Sequence, residues 1–266
     1  MTRVLSGAVL LVIAVAVVWF APANLFLIVA ELLLVLACRE YIALARTSQL
    51  RVPGVLSTIA AAGVCATFSR IVADWPLLIT LDLVLLASFL MTAGYETISW
   101  RPGTDAVGSA SAAMLPMLYL GLPLGSMVAL RELRGPQVLF LMMLTVFVSD
   151  SAQYYSGRAF GKHLLAPAIS PKKTIEGAIG GFVLGALVLT VVGVWWLPWV
   201  PPVARMLLGV GIVIAGIAGD LFESMLKRSA GVKDSSALIP GHGGILDRID
   251  ALLFAAPLYY IVLKYV

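Results

Sequence analysis

The side chains best suited to chemistry lie in the last third of the chain. Asp220, Glu223, Ser224 and Lys227 follow at i, i+3, i+4 and i+7, which puts all four on one face of a helix. Their neighbours are apolar. A face with two acids, a hydroxyl and a lysine cannot point at lipid without a large desolvation cost, so it must meet a wet cavity or other polar groups. Pairing of Glu223 with Lys227 accounts for one acid and leaves Asp220 without a partner on its own helix. Downstream, Pro240-Gly241-His242-Gly243-Gly244 places three glycines around one histidine, a backbone able to approach phosphate oxygens closely. Asp247-Arg248-Ile249-Asp250 then sets two more acids one turn apart.

A second polar stretch precedes these. It contains Gly157-Arg158-Ala159-Phe160-Gly161-Lys162 and then Ser170-Pro171-Lys172-Lys173-Thr174-Ile175-Glu176-Gly177. Ser170 suits a helix N-cap and Pro171 the first helical position, which predicts a helix starting beside Lys172 and Lys173. Its N-terminal dipole would add to their positive potential. Anchoring of the loop on one membrane side and binding of an anion both fit these lysines. Upstream, Asp150 stands in the polar run Val148–Tyr155, whereas Glu31 and Asp82 stand alone in apolar segments. Carboxylates suited to Mg²⁺ thus alternate with bases suited to several phosphates, because Mg²⁺ commonly takes one or two carboxylates plus substrate phosphates. The chemistry this supports is metal-assisted phosphoryl or nucleotidyl transfer.

The elements that must position these groups are membrane helices. Of 266 residues 61% are apolar and 12% charged, against about 25% charged in a soluble domain. Soluble, disordered, collagen-like and disulfide-scaffold classes are excluded by that balance. About nine spans are expected, at Val4–Phe20, Asn24–Leu44, Val52–Val72, Trp75–Tyr95, Ala106–Leu130, Val138–Tyr155, Ile175–Val200, Val203–Leu226 and Ile249–Val266. The fold class is therefore all-α and polytopic. Residues 1–137 form an N-terminal membrane region and residues 138–266 a C-terminal catalytic one, with the site at the cytoplasmic ends of the latter's spans. Pro116 and Pro123 predict a broken or kinked fifth span. Gly177, Gly181 and Gly185 form a small-residue stripe suited to close helix packing. With the N-terminus inside, 13 of the 18 Lys and Arg residues fall on the cytoplasmic side, including both polar loops. Ala21-Pro22-Ala23 imitates a signal-peptidase site, but Pro22 fits it poorly and another span follows at once, so a retained first helix is expected. Cys38 and Cys65 have no metal-ligand spacing and read as small packing residues. The scattered bases give no nucleic-acid-binding face.

The run Ser224-Met225-Leu226-Lys227-Arg228, then Lys233-Asp234, Ser236, Ile239-Pro240, His242-Gly243-Gly244-Ile245 and Asp247-Arg248-Ile249-Asp250 spans 27 residues. It resembles the signature of the phosphatidate cytidylyltransferases, or CDP-diacylglycerol synthases, and Asp150–Lys162 and Ser170–Gly177 look like the same family. The resemblance implies a reaction of CTP with phosphatidic acid that gives CDP-diacylglycerol and pyrophosphate, with Mg²⁺ and room for a second cation. It implies an enzyme of phospholipid biosynthesis in a bacterial-type plasma membrane. A homodimer is left open. By the resemblance, Asp220, Asp247, Lys227 and Asp250 are the expected catalytic residues, with Asp220, Asp247, Glu223 and Asp150 about the metal. Lys172, Lys173, Ser224, Arg228, Lys233, Asp234, His242, Gly243, Gly244 and Arg248 are the expected substrate contacts. A CDP-alcohol phosphotransferase would begin its motif with an Asp-Gly pair, and none occurs in this chain. A lipid or ion transporter could also bury Glu31, Asp82, Asp150 and Asp220, but would favour repeats in matching halves, whereas the polar cluster here is confined to the C-terminal half.

Overall fold

Backbone polar groups in lipid must be satisfied internally, so long apolar runs become helices. The computed structural model describes residues 2–73, 79–239, 241 and 243–266. Its helices are α1 (Thr2–Phe20), α2 (Ala23–Thr47), α3 (Gly54–Ala66), the single turn α4 (Arg70–Ala73), α5 (Leu81–Ser99), α6 (Ala106–Pro116) and α7 (Leu122–Arg134). They continue as α8 (Pro136–Phe160), α9 (Ile175–Trp196), α10 (Pro202–Ser229) and α11 (Leu246–Tyr265). Among the described residues five segments are long and apolar enough to cross a membrane, namely α5, Ala106–Arg134, α8, α9 and α10. The chain is an all-α membrane protein apart from one short hairpin. Helix α3 is shorter than the expected Val52–Val72, and the expected start of the Trp75–Tyr95 span lies partly outside the described residues.

The fifth span is expected to break or kink at its prolines, but Ala106–Arg134 runs on as one helix. Its irregularity is a π-helical segment, Met117–Gly121, between α6 and α7 just after Pro116, and Pro123 lies in the first turn of α7. Proline lacks the N–H that would close an α-turn, and the widened turn absorbs the mismatch. A Cβ at Gly121 would lie 2.6 Å from the Ala61 carbonyl oxygen, so this helix packs close against α3.

The glycine stripe packs as expected. A Cβ at Gly177 would lie 2.8 Å from the Gln153 carbonyl oxygen and one at Gly181 2.6 Å from Gln153 Cγ, which brings α9 hard against α8. Fully buried Leu34, Leu120, Leu139, Met142, Ile212, Leu253 and Tyr259 belong to one continuous core drawn from α2, the π segment, α8, α10 and α11. That core therefore crosses the boundary at residue 137. Free Cys38 and Cys65 are both buried.

One expectation is corrected. Residues Ser170–Thr174 form strand β2, paired antiparallel with β1 (Leu164–Ala166), and are not the start of a helix. Helix α9 begins at Ile175, because Thr174 is the residue whose hydroxyl caps it, accepting the Gly177 N–H at 3.1 Å. Pro171 is tolerated because a two-stranded sheet is all edge and needs no N–H there. Glu176, in the first turn of α9, accepts the Lys162 and His163 N–H groups at 3.0 and 3.2 Å and fixes the entry to the hairpin.

The hairpin, the C-terminal ends of α2, α8 and α10 and the N-terminal end of α11 meet at one end of the bundle. At the other end Arg131 donates to the carbonyl oxygens of Val18 and Ala21, and Arg134 to that of Leu263.

Candidate active site

Helix α10 carries the predicted polar face to its C-terminus and stops at Gly231, whose φ of +69° suits a glycine helix terminator. The face divides in two. Ser224 Oγ donates to Asp220 Oδ1 at 3.3 Å, and Lys173 Nζ lies 2.6 Å from Asp220 Oδ2. The partner that α10 itself could not supply to Asp220 thus arrives from β2. Strand alternation separates the two lysines: Lys173 is half-buried on Asp220, and Lys172 is exposed.

On the other half, Lys227 Nζ forms ion pairs with Glu223 on its own helix and with Asp247 Oδ1 of α11 at 2.6 Å. The Glu223 side chain is 0% exposed and the Asp247 side chain 7%. Among the described residues Glu223 makes no hydrogen bond besides that ion pair, so it holds Lys227 from behind. Asp250, one turn after Asp247, interacts electrostatically with Asp220, Asp150 and Lys227. Asp150 is exposed, feels both Asp220 and Lys173, and accepts a hydrogen bond from the Gln153 amide at 3.1 Å.

The glycine-rich loop closes on carboxylates. A Cβ on Gly243 (φ +76°) would lie 2.6 Å from Asp247 Oδ2, and one on Gly244 would overlap Glu40 and Ser235. Asp247 Oδ2 accepts the Gly244 N–H at 2.8 Å, the Ser235 N–H at 2.9 Å and the Ser235 hydroxyl at 2.8 Å. Within the chain this backbone comes close to the Asp247 and Glu40 carboxylates. Pro240 and His242 lie outside the described residues.

The remaining expected contacts are dispersed. Arg228 donates to the carbonyl oxygens of Ile169 at 3.4 Å and Val232 at 3.2 Å, tying the hairpin turn to the end of α10. Lys233, Asp234 and Arg248 are exposed on the same loop and helix end. Glu31 interacts with Cys65 and Cys38, and Asp82 with Thr80, so neither joins the cluster.

A model described as the cytidylyltransferase family matches residues 1–266. The chain belongs to the cytidylyltransferase family. It is thus a nucleotidyltransferase. Among its relatives is the phosphatidate cytidylyltransferase of Staphylococcus haemolyticus, 33% identical over 262 residues and covering 98% of each chain. The Staphylococcus epidermidis protein of the same name is 31% identical over 247 residues, 90% of each. That of Synechocystis is 48% identical over 127 residues, 47% of this chain and 43% of its own.

Among the described residues of this cytidylyltransferase no group of three or more His, Cys, Asp or Glu side chains is placed to hold a metal ion, so a divalent cation here would have to take part of its shell from substrate. Asp220 and Asp247 each carry a lysine ammonium at 2.6 Å, which marks both carboxylates as places where positive charge is favoured. Asp150 and Asp250 add negative charge around them. Two neighbours escaped sequence reasoning. Tyr119 of the π segment, whose buried hydroxyl has no hydrogen-bond partner among the described residues, interacts electrostatically with Glu223, Asp247 and Asp250. The other is Glu40. Both come from the half of the chain without a motif, and a lone tyrosine or glutamate near a span end gives no sequence signal.

Proposed function

We propose that this nucleotidyltransferase uses CTP and phosphatidic acid, releasing CDP-diacylglycerol and pyrophosphate, at the cytoplasmic face of a bacterial-type plasma membrane crossed by about nine helices. The observation that carries the reading is the pair of lysine–aspartate contacts, Lys173 with Asp220 and Lys227 with Asp247, set among Asp150 and Asp250 at one end of a membrane bundle. Relatives named phosphatidate cytidylyltransferase over nearly the whole chain support the choice of substrates.

A phosphate oxygen of phosphatidic acid forms the new bond to the α-phosphorus of CTP, and the bond from that phosphorus to the bridging oxygen of pyrophosphate breaks. The lipid supplies the nucleophile, so no side chain need form a covalent intermediate. Asp220 and Asp247 would hold Mg²⁺, with Asp150 and Asp250 nearby. Bound there, Mg²⁺ would neutralise charge on the reacting phosphates. Lys173 and Lys227 are already placed beside the two acids, where they can turn to phosphate oxygens and stabilise the charge that develops on them. Exposed Lys172, Lys233 and Arg248 would draw in the anionic substrates. Glu223 holds Lys227 from behind, within reach of the substrate phosphates.

The test is turnover by purified protein in liposomes of phosphatidic acid, with each of four nucleoside triphosphates and with or without Mg²⁺. CTP with Mg²⁺ alone should give lipid-linked nucleotide and pyrophosphate. Equal use of all four nucleotides, or lipid movement without product, would refute the assignment.

A further inference from the structure

Glu40 lies near the C-terminal end of α2, 6% exposed, in a part of the chain with no catalytic motif. Four donors converge on its carboxylate, and all come from the segment leading into α11. Oε1 accepts the Ser236 hydroxyl at 2.7 Å and the Ile245 N–H at 3.0 Å. Oε2 accepts the Leu246 N–H at 2.8 Å and the Ser235 hydroxyl at 2.9 Å. Local chemistry explains the demand. The N-cap position of α11 is Ile245, which has no side-chain acceptor, so the first N–H groups of that helix need one from elsewhere. A carboxylate is the best acceptor there, because it also answers the positive end of the helix dipole.

The contact matters because of what it adjoins. The Ser235 hydroxyl has one proton, which it gives to Glu40 at 2.9 Å or to Asp247 at 2.8 Å; with that proton on Glu40 the Ser235 N–H still binds Asp247 at 2.9 Å, so Ser235 links the two acids. Asp247 in turn holds Lys227. Gly244 has no room for a Cβ because Glu40 and Ser235 close over it.

We propose that Glu40 is a positioning residue: from the N-terminal half it clamps the 235–246 segment, and thereby sets Asp247 and Lys227 for the cytidylyl transfer. The consequence for catalysis rests on the function proposed above; the clamp itself does not. Glutamine has nearly the same shape but replaces one oxygen with an NH₂, which turns two of the four donors toward a donor. Aspartate keeps both oxygens on a shorter stem.

The experiment uses the full chain in detergent, as Glu40→Gln, Glu40→Asp and Ser236→Ala, and reads amide hydrogen exchange by segment together with kcat and KM. In Glu40→Gln, exchange over the 235–247 segment should quicken on the order of 10- to 100-fold, since hydrogen bonds to charged acceptors are lost there. The kcat should fall by a similar factor, with KM for phosphatidic acid little changed. Glu40→Asp should recover part of both, and Ser236→Ala, which leaves Asp247 and the Ser235 link in place, should loosen the segment less. Exchange that quickens equally across α2, α3 and α10 would mark Glu40 as an ordinary stability residue and overturn the proposal. So would wild-type exchange and kcat in Glu40→Gln. If the wild-type protein did not use CTP, local quickening would still establish the clamp, while the proposed reaction would fall.

Discussion

Replacing Lys227 with methionine keeps a stem of similar length and removes the charge held between Glu223 and Asp247. The exposures of the three side chains are 13% for Lys227, 0% for Glu223 and 7% for Asp247, so the pairs are buried, unlike surface ion pairs worth about 0–1 kcal/mol. Breaking a buried pair by deleting one partner costs about 3–5 kcal/mol, mostly the penalty of a stranded charge. Here the stranding is unequal. Asp247 retains the Ser235 N–H and the Gly244 N–H on Oδ2 and shares the Ser235 hydroxyl with Glu40. Among the described residues Glu223 retains none. Most of the loss should therefore arise at Glu223, and a second change, Glu223→Gln, should return at least about half of it by removing the uncompensated charge. Denaturant unfolding in detergent micelles gives both numbers, and labelled CTP gives turnover in the same samples. Lys227→Met should be about 3–5 kcal/mol less stable than wild type and inactive, and the double variant more stable than the single but still inactive. A single variant within about 1 kcal/mol of wild type, or a double variant no more stable than the single, would refute the buried-pair account.

The two lysines of β2 should behave differently: Lys173→Gln should lower kcat/KM for CTP by about 100-fold or more, and Lys172→Gln by less than about tenfold. Equal losses in correctly inserted protein would remove the distinction. Asp220→Asn should abolish Mg²⁺-dependent turnover while leaving membrane insertion intact, because an amide is a poor Mg²⁺ ligand; near-normal rates at saturating Mg²⁺ would exclude Asp220 from the centre. Thr174→Ala should cost about 1 kcal/mol and speed hydrogen exchange at the Gly177 amide, as expected for a lost helix cap. Unchanged exchange at that amide would show that α9 starts elsewhere.

Hydropathy, proline positions and residue spacing specify the membrane class, an irregularity at Pro116, the glycine stripe of α9, the polar face of α10 and the family. Each of these is local. Hydropathy, proline and the 3.6-residue period act within a few turns of one helix, so they are legible along the chain without knowing its neighbours. The start of α9 is not legible along the chain, because Ser170 and Thr174 both suit a cap and only the pairing of β2 with β1 chooses between them. Tertiary structure alone decided the partners. It gave Asp220 its lysine from β2, separated Lys173 from Lys172, put Glu223 behind Lys227, and brought Glu40 to serines about 195 residues away. A buried charge will take whichever partner the packed helices deliver to it. That delivery depends on how α2, α10 and α11 pack together, which no residue spacing within one helix can express.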